Sequence, residues 1–536
     1  MKTQVLLVCF LLSFNSFAKI ITFEKGPLLE QVPEIIYTPD ALIFSHSLNS
    51  MHLKDLGEYE EVELKGLKLS DESHLARLPF YSFLVEAKAE NINYELNTLV
   101  EESFTEVKLK PAPEMPCRCA DDASPKQLNE GLYFSDNREM VEIEYLGDYR
   151  GKPISKVKVY AGKYSPNTKV LKIYSQLKVS FFSNEGPLKS FKGTDQVGKR
   201  YLFFTPKSFK SEVEELARYR EIQGHQVQTF FLEDMGSNFT DIQSSIRSIW
   251  DEAPFDYALI VGHEEIFPTE YVDTSNDSQT PSDLNYFTYG GEGDFIPDVF
   301  YGRLAVDKGI EITNFIKKVK EFERAQYKDP SGLNKQIGIA SNEGESPSDV
   351  EYLKQMQQPL TKQLGIHSKA FLQDNKNSTA SNIVKELKNG AIWLNYIGHG
   401  SGNSWTSINR GEFHSDHIRD LESRVVKPII IDVSCQNGRF NYNGRLGERF
   451  MNETRFSKPI GAVAYYGGSV DISWHPPAVM AVKISELFAK KQVGSLGNLL
   501  LSGQIELLRA YSNAEMAKEN LVWYHLLGDP ALRLKY

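Results

Sequence analysis

The hydrophobic period of this chain changes once, at Gly198-Lys199-Arg200, and that change restricts what it can fold into. Over 23–197, short alternating or β-branched stretches recur, among them 140–145, 154–159 and 171–182. Turn signals at Gly147-Asp148, Gly151-Lys152-Pro153 and Ser165-Pro166-Asn167 separate them, the pattern of one or two small β-sandwich-like units. Beyond the change, strands expected over 201–205, 227–230, 257–261, 335–341, 392–397, 428–433 and 460–466 alternate with helices such as 210–223, 241–250 and 349–364. Alternation of that length predicts an α/β fold, a mainly parallel sheet flanked by helices.

A chain of 536 residues accommodates two to four domains. Its formal charge of −11, without a basic cluster, argues against a nucleic-acid partner. Lys2 precedes an apolar run over 5–14, and Ser16-Phe17-Ala18 ends in small residues, the layout of a cleaved secretory signal. No later stretch reaches ~18 uninterrupted apolar residues, so no transmembrane anchor is expected. Three cysteines follow the signal. Cys117 and Cys119 stand one residue apart in a Pro-rich loop, where a bridge is sterically demanding but can form. Cys435 is then the odd thiol of an exported protein and calls for a chemical explanation.

In open parallel sheets, ligands gather beyond the carboxyl ends of the strands. Two expected strands end in reactive side chains there: 392–397 runs into Gly398-His399-Gly400-Ser401-Gly402, and 428–433 into Ser434-Cys435-Gln436-Asn437-Gly438. A thiol beside an imidazole is the pair that nucleophilic catalysis needs, and the flanking glycines admit a substrate backbone. An isolated cysteine after an apolar strand is usually a small buried hydrophobe. His263, too, follows an apolar strand and a glycine. The conjunction of His399 and Cys435 with an export signal is what separates them from these cases.

The stretches Ile397-Gly398-His399-Gly400-Ser401-Gly402-Asn403-Ser404-Trp405 and Ile431-Asp432-Val433-Ser434-Cys435-Gln436-Asn437-Gly438-Arg439-Phe440 closely resemble the His and Cys motifs of gingipain-type cysteine peptidases, in the caspase-like group. The resemblance covers most of 201–536, and the β-rich stretch resembles that family's inhibitory prodomain, notably over 145–153. It implies a signal peptide over 1–18, an inhibitory β-rich prodomain over 19–200, an N-terminal α/β subdomain over 201–330 and a catalytic caspase-like subdomain over 331–536. It further implies a secreted endopeptidase, extracellular or periplasmic, that cleaves proteins or peptides after Arg or Lys. Its partners are then its substrates and its own prodomain. By position, Cys435 resembles the nucleophile and His399 the general base, with the amides of Gly400 and Cys435 as oxyanion donors. Glu343 resembles the acid that orients the imidazole, Asp349 the acid that binds a basic P1 side chain, and Trp405 an aromatic near that pocket. Asp349 also opens an expected helix just after Ser348, where a carboxylate favours the dipole, and both readings stand.

No cofactor is required by this chemistry. The resemblance makes calcium plausible in the Asp- and Asn-rich loop 273–298, although EF-hand spacing is absent. His414 and His417 lack further ligands for zinc, so no metal residues are assigned. Gly398 to Gly402 has no serine at its centre of the kind an α/β-hydrolase uses. Two rivals keep the fold: a sortase-like peptidyl transferase, and a non-catalytic secretion or binding component. No further domain is expected after Gly528-Asp529-Pro530.

Overall fold

The computed structural model describes residues 18–27, 29–119, 124–194, 198–291, 293–344 and 347–536. The signal peptide expected over 1–18 therefore lies outside the described residues, Ala18 excepted. Ala18–Thr22 is a strand, paired antiparallel with Ser50–Asp55.

Up to Ser183 the strands form sheets of three, four and five strands, with antiparallel pairing throughout. The long strand Val170–Ser183 pairs with Leu42–Ser47 and with Ile92–Phe104.

From Arg200 a ten-stranded sheet takes over. Across it run Gln226–Phe231, Arg200–Thr205, Tyr257–Val261, Phe300–Leu304, Tyr524–Leu527, Ala464–Gly468, Ile429–Val433, Trp393–Ile397, Lys335–Ala340 and His367–Leu372. Neighbours are parallel except at Ala464–Gly468 against Tyr524–Leu527. The sheet is thus two parallel halves of opposite direction. Strands Tyr257–Val261, Trp393–Ile397 and Ile429–Val433 are buried at every residue, as strands covered on both faces must be. The reversal sends the strand leading to His263 toward the opposite edge from those leading to His399 and Cys435. The last strand, Tyr524–Leu527, returns from the end of the chain to complete the first half, so 201–330 and 331–536 share one continuous sheet. Among the described residues, no helix is long and apolar enough to cross a membrane.

Among the contacts between the antiparallel region and the α/β region, three bear on the site. Leu84, Leu146, Tyr149, Ile154 and Phe191 belong to the same apolar core as the large sheet, and the backbone of 509–512 accepts bonds from Ser82 Oγ, Lys156 Nζ and Lys158 Nζ. At a second place, the turn 147–150 docks on two buried carboxylates: Asp148 N–H donates to Asp294 Oδ1 at 3.1 Å, and Arg150 N–H donates to Asp298. Gly147 (φ +135°) permits this approach, since a Cβ there would lie 2.3 Å from Asp294 Oδ1. The third contact is made by Arg118.

Candidate active site

Three loops at the carboxyl ends of Lys335–Ala340, Trp393–Ile397 and Ile429–Val433 converge. These strands are neighbours in register, Ala340 opposite Ile397 and Ile397 opposite Val433, so Ser341, Gly398 and Ser434 start from one edge.

After Ile397 the chain turns at Gly398 into His399, whose N–H donates to Ser407 Oγ (2.8 Å) and whose carbonyl accepts from Tyr396 Oη (2.6 Å). The next position tolerates glycine alone, because a Cβ on Gly400 would sit 2.3 Å from the Cys435 carbonyl oxygen. Cys435 is fully buried, and its Sγ accepts from the Ile472 N–H at 3.3 Å. Burial, reinforced by the Asp471 carboxylate, pushes the thiol well up, against the opposing pull of that N–H and of the Arg118 charge.

Both nitrogens of His399 are engaged. Nε2 lies 2.5 Å from Glu343 Oε2, and Nδ1 lies 2.5 Å from the carbonyl oxygen of Arg118. Acceptors on both nitrogens favour the doubly protonated ring. Burial alone would lower its pKa, but the Glu343 carboxylate and the Arg118 carbonyl outweigh that and raise it.

Glu343 and Asp349 come from one loop. Glu343 N–H donates to Ser341 Oγ (3.1 Å), Asp349 N–H to the Glu343 carbonyl (3.0 Å), and Ser341 Oγ to Asp349 Oδ2 (2.7 Å). Asp349 does open the helix Asp349–Leu364, yet Ser348 and Glu351 already supply a reciprocal cap. The Asp349 carboxylate turns inward. It receives Nη1 and Nη2 of Arg118 at 2.8 and 2.9 Å, with both side chains wholly buried.

Every polar group of Arg118 is taken up in this way. Its Nε and Nη2 also donate to the Trp474 carbonyl (3.1 and 2.9 Å), and its guanidinium lies 4.5 Å from the Trp474 ring centre. The Arg118 N–H donates to the Ile472 carbonyl at 3.0 Å, as a backbone laid along a strand would. Cys117 and Cys119, on either side, are joined by a disulfide.

Trp405 is elsewhere. Its ring stacks on Tyr396 and Phe413, 5.0 and 4.9 Å between centres, and its indole N–H donates to buried Asp432 (2.9 Å). The expectation that it lines the pocket is corrected: it holds the floor beneath the two loops, and Trp474 faces the guanidinium. Sequence reasoning did not single out Trp474, Ile472 or Arg118. A basic residue framed by two cysteines, set against an expected acidic pocket, was the available signal for Arg118.

In the loop 273–298, Asp283 pairs with Arg303, and Asp294 and Asp298 accept backbone N–H groups. Sulfurs of Cys117 and Cys119 and an Asp471 oxygen lie within 4.8 Å of one another, but the disulfide consumes both thiols.

The family model "Peptidase family C25" matches residues 194–535. Gingipain R2 of Porphyromonas gingivalis is 23% identical over 456 residues, 76% of this chain and 60% of that protein. Gingipain R1 of the same organism is 22% identical over 562 residues, 94% of this chain and 54% of that protein, so the chain spans somewhat over half the length of these relatives. Among solved structures, the Arg-specific cysteine proteinase gingipain R superposes with a TM-score of 0.58 at 22% identity, covering 64% of this chain and 80% of that one. A complex of Porphyromonas gingivalis RgpB pro- and mature domains gives 0.57 at 24% identity, covering 63% and 80%.

Proposed function

Since the chain belongs to peptidase family C25, we propose that it is an exported cysteine endopeptidase, specific for arginyl bonds and held latent by its own N-terminal region. The observation that carries this reading is Arg118. It fills a buried pocket through a two-pronged pair with Asp349 and stacks on Trp474, while its carbonyl lies on His399. A protein segment seated in this way is what a peptidase's arginyl substrate would look like. The planar guanidinium fork matches a carboxylate through two parallel bonds, which an ammonium cannot do, so arginine is preferred to lysine at P1.

In the active form His399 Nδ1, freed of the Arg118 carbonyl, gives its proton to water, and the neutral ring then takes the Cys435 proton. The thiolate attacks the carbonyl carbon after the P1 arginine, and the amides of Gly400 and Cys435 receive the developing oxyanion. The amine leaves with the proton from His399, and water hydrolyses the thioester. Glu343 holds the imidazole in orientation and stabilises its charged form. In the precursor the Arg118 carbonyl on Nδ1 opposes this first proton transfer.

Export is supported by the N-terminal apolar run and by the disulfide, which persists in oxidising compartments. The test is hydrolysis of peptides matched except for Arg, Lys or Leu at P1. Cys435→Ala should abolish turnover without changing the fold. Substantial activity in that variant, or a preference for Leu, overturns the proposal.

A further inference from the structure

Latency as described needs only Arg118: the ion pair, the Trp474 contacts and the His399 contact all belong to that residue. The disulfide around it is an additional device. Cys117 is half-buried and Cys119 exposed, so solvent reaches the bond from the Cys119 side. With Arg118 in the recognition pocket, its N–H on Ile472 and its carbonyl beside the imidazole, the bond due to break is Arg118–Cys119. Cleavage ordinarily lets the new amine depart. Here the amine of Cys119 would remain tied, through its own sulfur, to the residue just before Arg118. A tethered amine has a high effective concentration and re-forms the amide before water takes the thioester.

Building on the peptidase reading, we infer that the Cys117–Cys119 disulfide is a redox latch. Oxidised, it makes Arg118 a plug that is not consumed; reduced, it turns Arg118–Cys119 into the first bond the enzyme cuts. The reductant is a small dithiol, whose two S–H hydrogens pass to the sulfurs of Cys117 and Cys119 as it closes to a cyclic disulfide. The loosened loop lets the Arg118 carbonyl leave His399 Nδ1, whose proton passes to water, and the neutral ring then takes the Cys435 proton. Cys435 Sγ then bonds to the Arg118 carbonyl carbon, and the C–N bond to Cys119 breaks. The freed amine takes the proton from His399 and departs. Water cleaves the thioester to the Arg118 carboxylate and the Cys435 thiol. Cys435 is already a free thiol, so the reductant has no necessary task there.

The test follows the full-length precursor at neutral pH by intact mass and N-terminal sequence. Three samples are compared: wild type without dithiol, wild type with it, and Cys117→Ser/Cys119→Ser without it. A new N-terminus at Cys119 should appear at least about tenfold faster in the second than in the first, since tethering raises effective concentration by far more than that. The double variant, its new N-terminus at the same position, should match the second sample. A double variant cut no faster than the oxidised wild type overturns the latch, as does a dithiol effect of equal size in both proteins. Should the double variant misfold by its melting curve, alkylation of wild type decides instead. Residues 117 and 119 should become labelled before cleavage, and labelled protein that stays uncut overturns the inference. Hydrolysis of an arginyl peptide by the Arg118→Ala precursor separates the two readings. An Arg118→Ala protein that stays inert even after its N-terminal region is removed sinks the peptidase reading, whereas an active one beside an uncut double variant sinks the latch alone.

Discussion

Arg118 and Asp349, 231 residues apart in sequence, meet through two parallel hydrogen bonds with neither side chain exposed. The pair joins the antiparallel region to the loop that also carries Glu343, so in the proposed function the acid that would recognise substrate is the one that would restrain the precursor.

Asp349→Asn should therefore act twice. Truncating one partner of a desolvated charge pair costs about 2–5 kcal/mol. In the mature enzyme kcat/KM for a P1 Arg peptide should fall at least ~30-fold, each ~1.4 kcal/mol being a factor of ten, with little change for Leu. The uncut precursor should become leaky at the same time. Equal losses for Arg and Leu would assign Asp349 to the helix terminus instead.

Arg118→Ala leaves Asp349 buried and uncompensated, which costs about 3–5 kcal/mol. The cost falls on the latent arrangement alone. Uncut Arg118→Ala precursor should hydrolyse small arginyl peptides at least ~100-fold faster than uncut wild type. Arg118→Lys should fall between them, keeping the charge without the fork. A variant as silent as wild type, yet active once processed, would show that other contacts enforce latency.

The raised pKa of His399 makes the stability of this chain sensitive to pH. Its pKa is raised in the folded state above the usual 6.5. The stability it contributes is therefore fully present below pH 6.5 and is lost as pH rises through the raised value. Asp298, pushed up to about 7 by burial, also titrates near this range, so a difference measurement is needed. In a Cys435→Ala background, melting temperatures from pH 5.5 to 9 should show the wild-type advantage over Glu343→Gln shrinking above pH 6.5. A gap independent of pH would mean that Glu343 acts without charge on His399.

The two tryptophans should separate cleanly. Trp474→Ala removes a stacked cation, about 0.5–2 kcal/mol, and should lower the Arg-to-Leu ratio of kcat/KM by about 2–30-fold. Trp405→Ala opens the core and removes one of the four side-chain donors on Asp432, at about 3–5 kcal/mol of stability. Whatever Trp405→Ala protein folds should keep its P1 preference.

Much of this was legible because it is local. The change of period at 198–200, and the strands ending in His399 and Cys435, are properties of short windows. Once those strands neighbour each other the two side chains share an edge, as Ile397 against Val433 ensures. What escaped depends on distant returns. Tyr524–Leu527 is four residues long directly after a helix, too short to carry a period, yet it fills the middle of the sheet and reverses its direction. Trp405 and Trp474 cannot be told apart by composition, because each is buried beside an acid or a cation that only the fold delivers. The role of Arg118 belongs to a pairing across 231 residues.

The antiparallel region touches the α/β region at the 509–512 segment with its shared apolar core, at Asp294 and Asp298, and at Arg118. A multivalent ligand does not leave when one of its feet is cut. Severing the Arg118–Cys119 bond would vacate the pocket only slowly, because both fragments stay held by their remaining anchors at high local concentration. Unmasking is then a staged process. A nicked, still-assembled form should persist between the silent and the mature enzyme, with a lifetime set by dissociation of the fragments rather than by the chemistry that cut them.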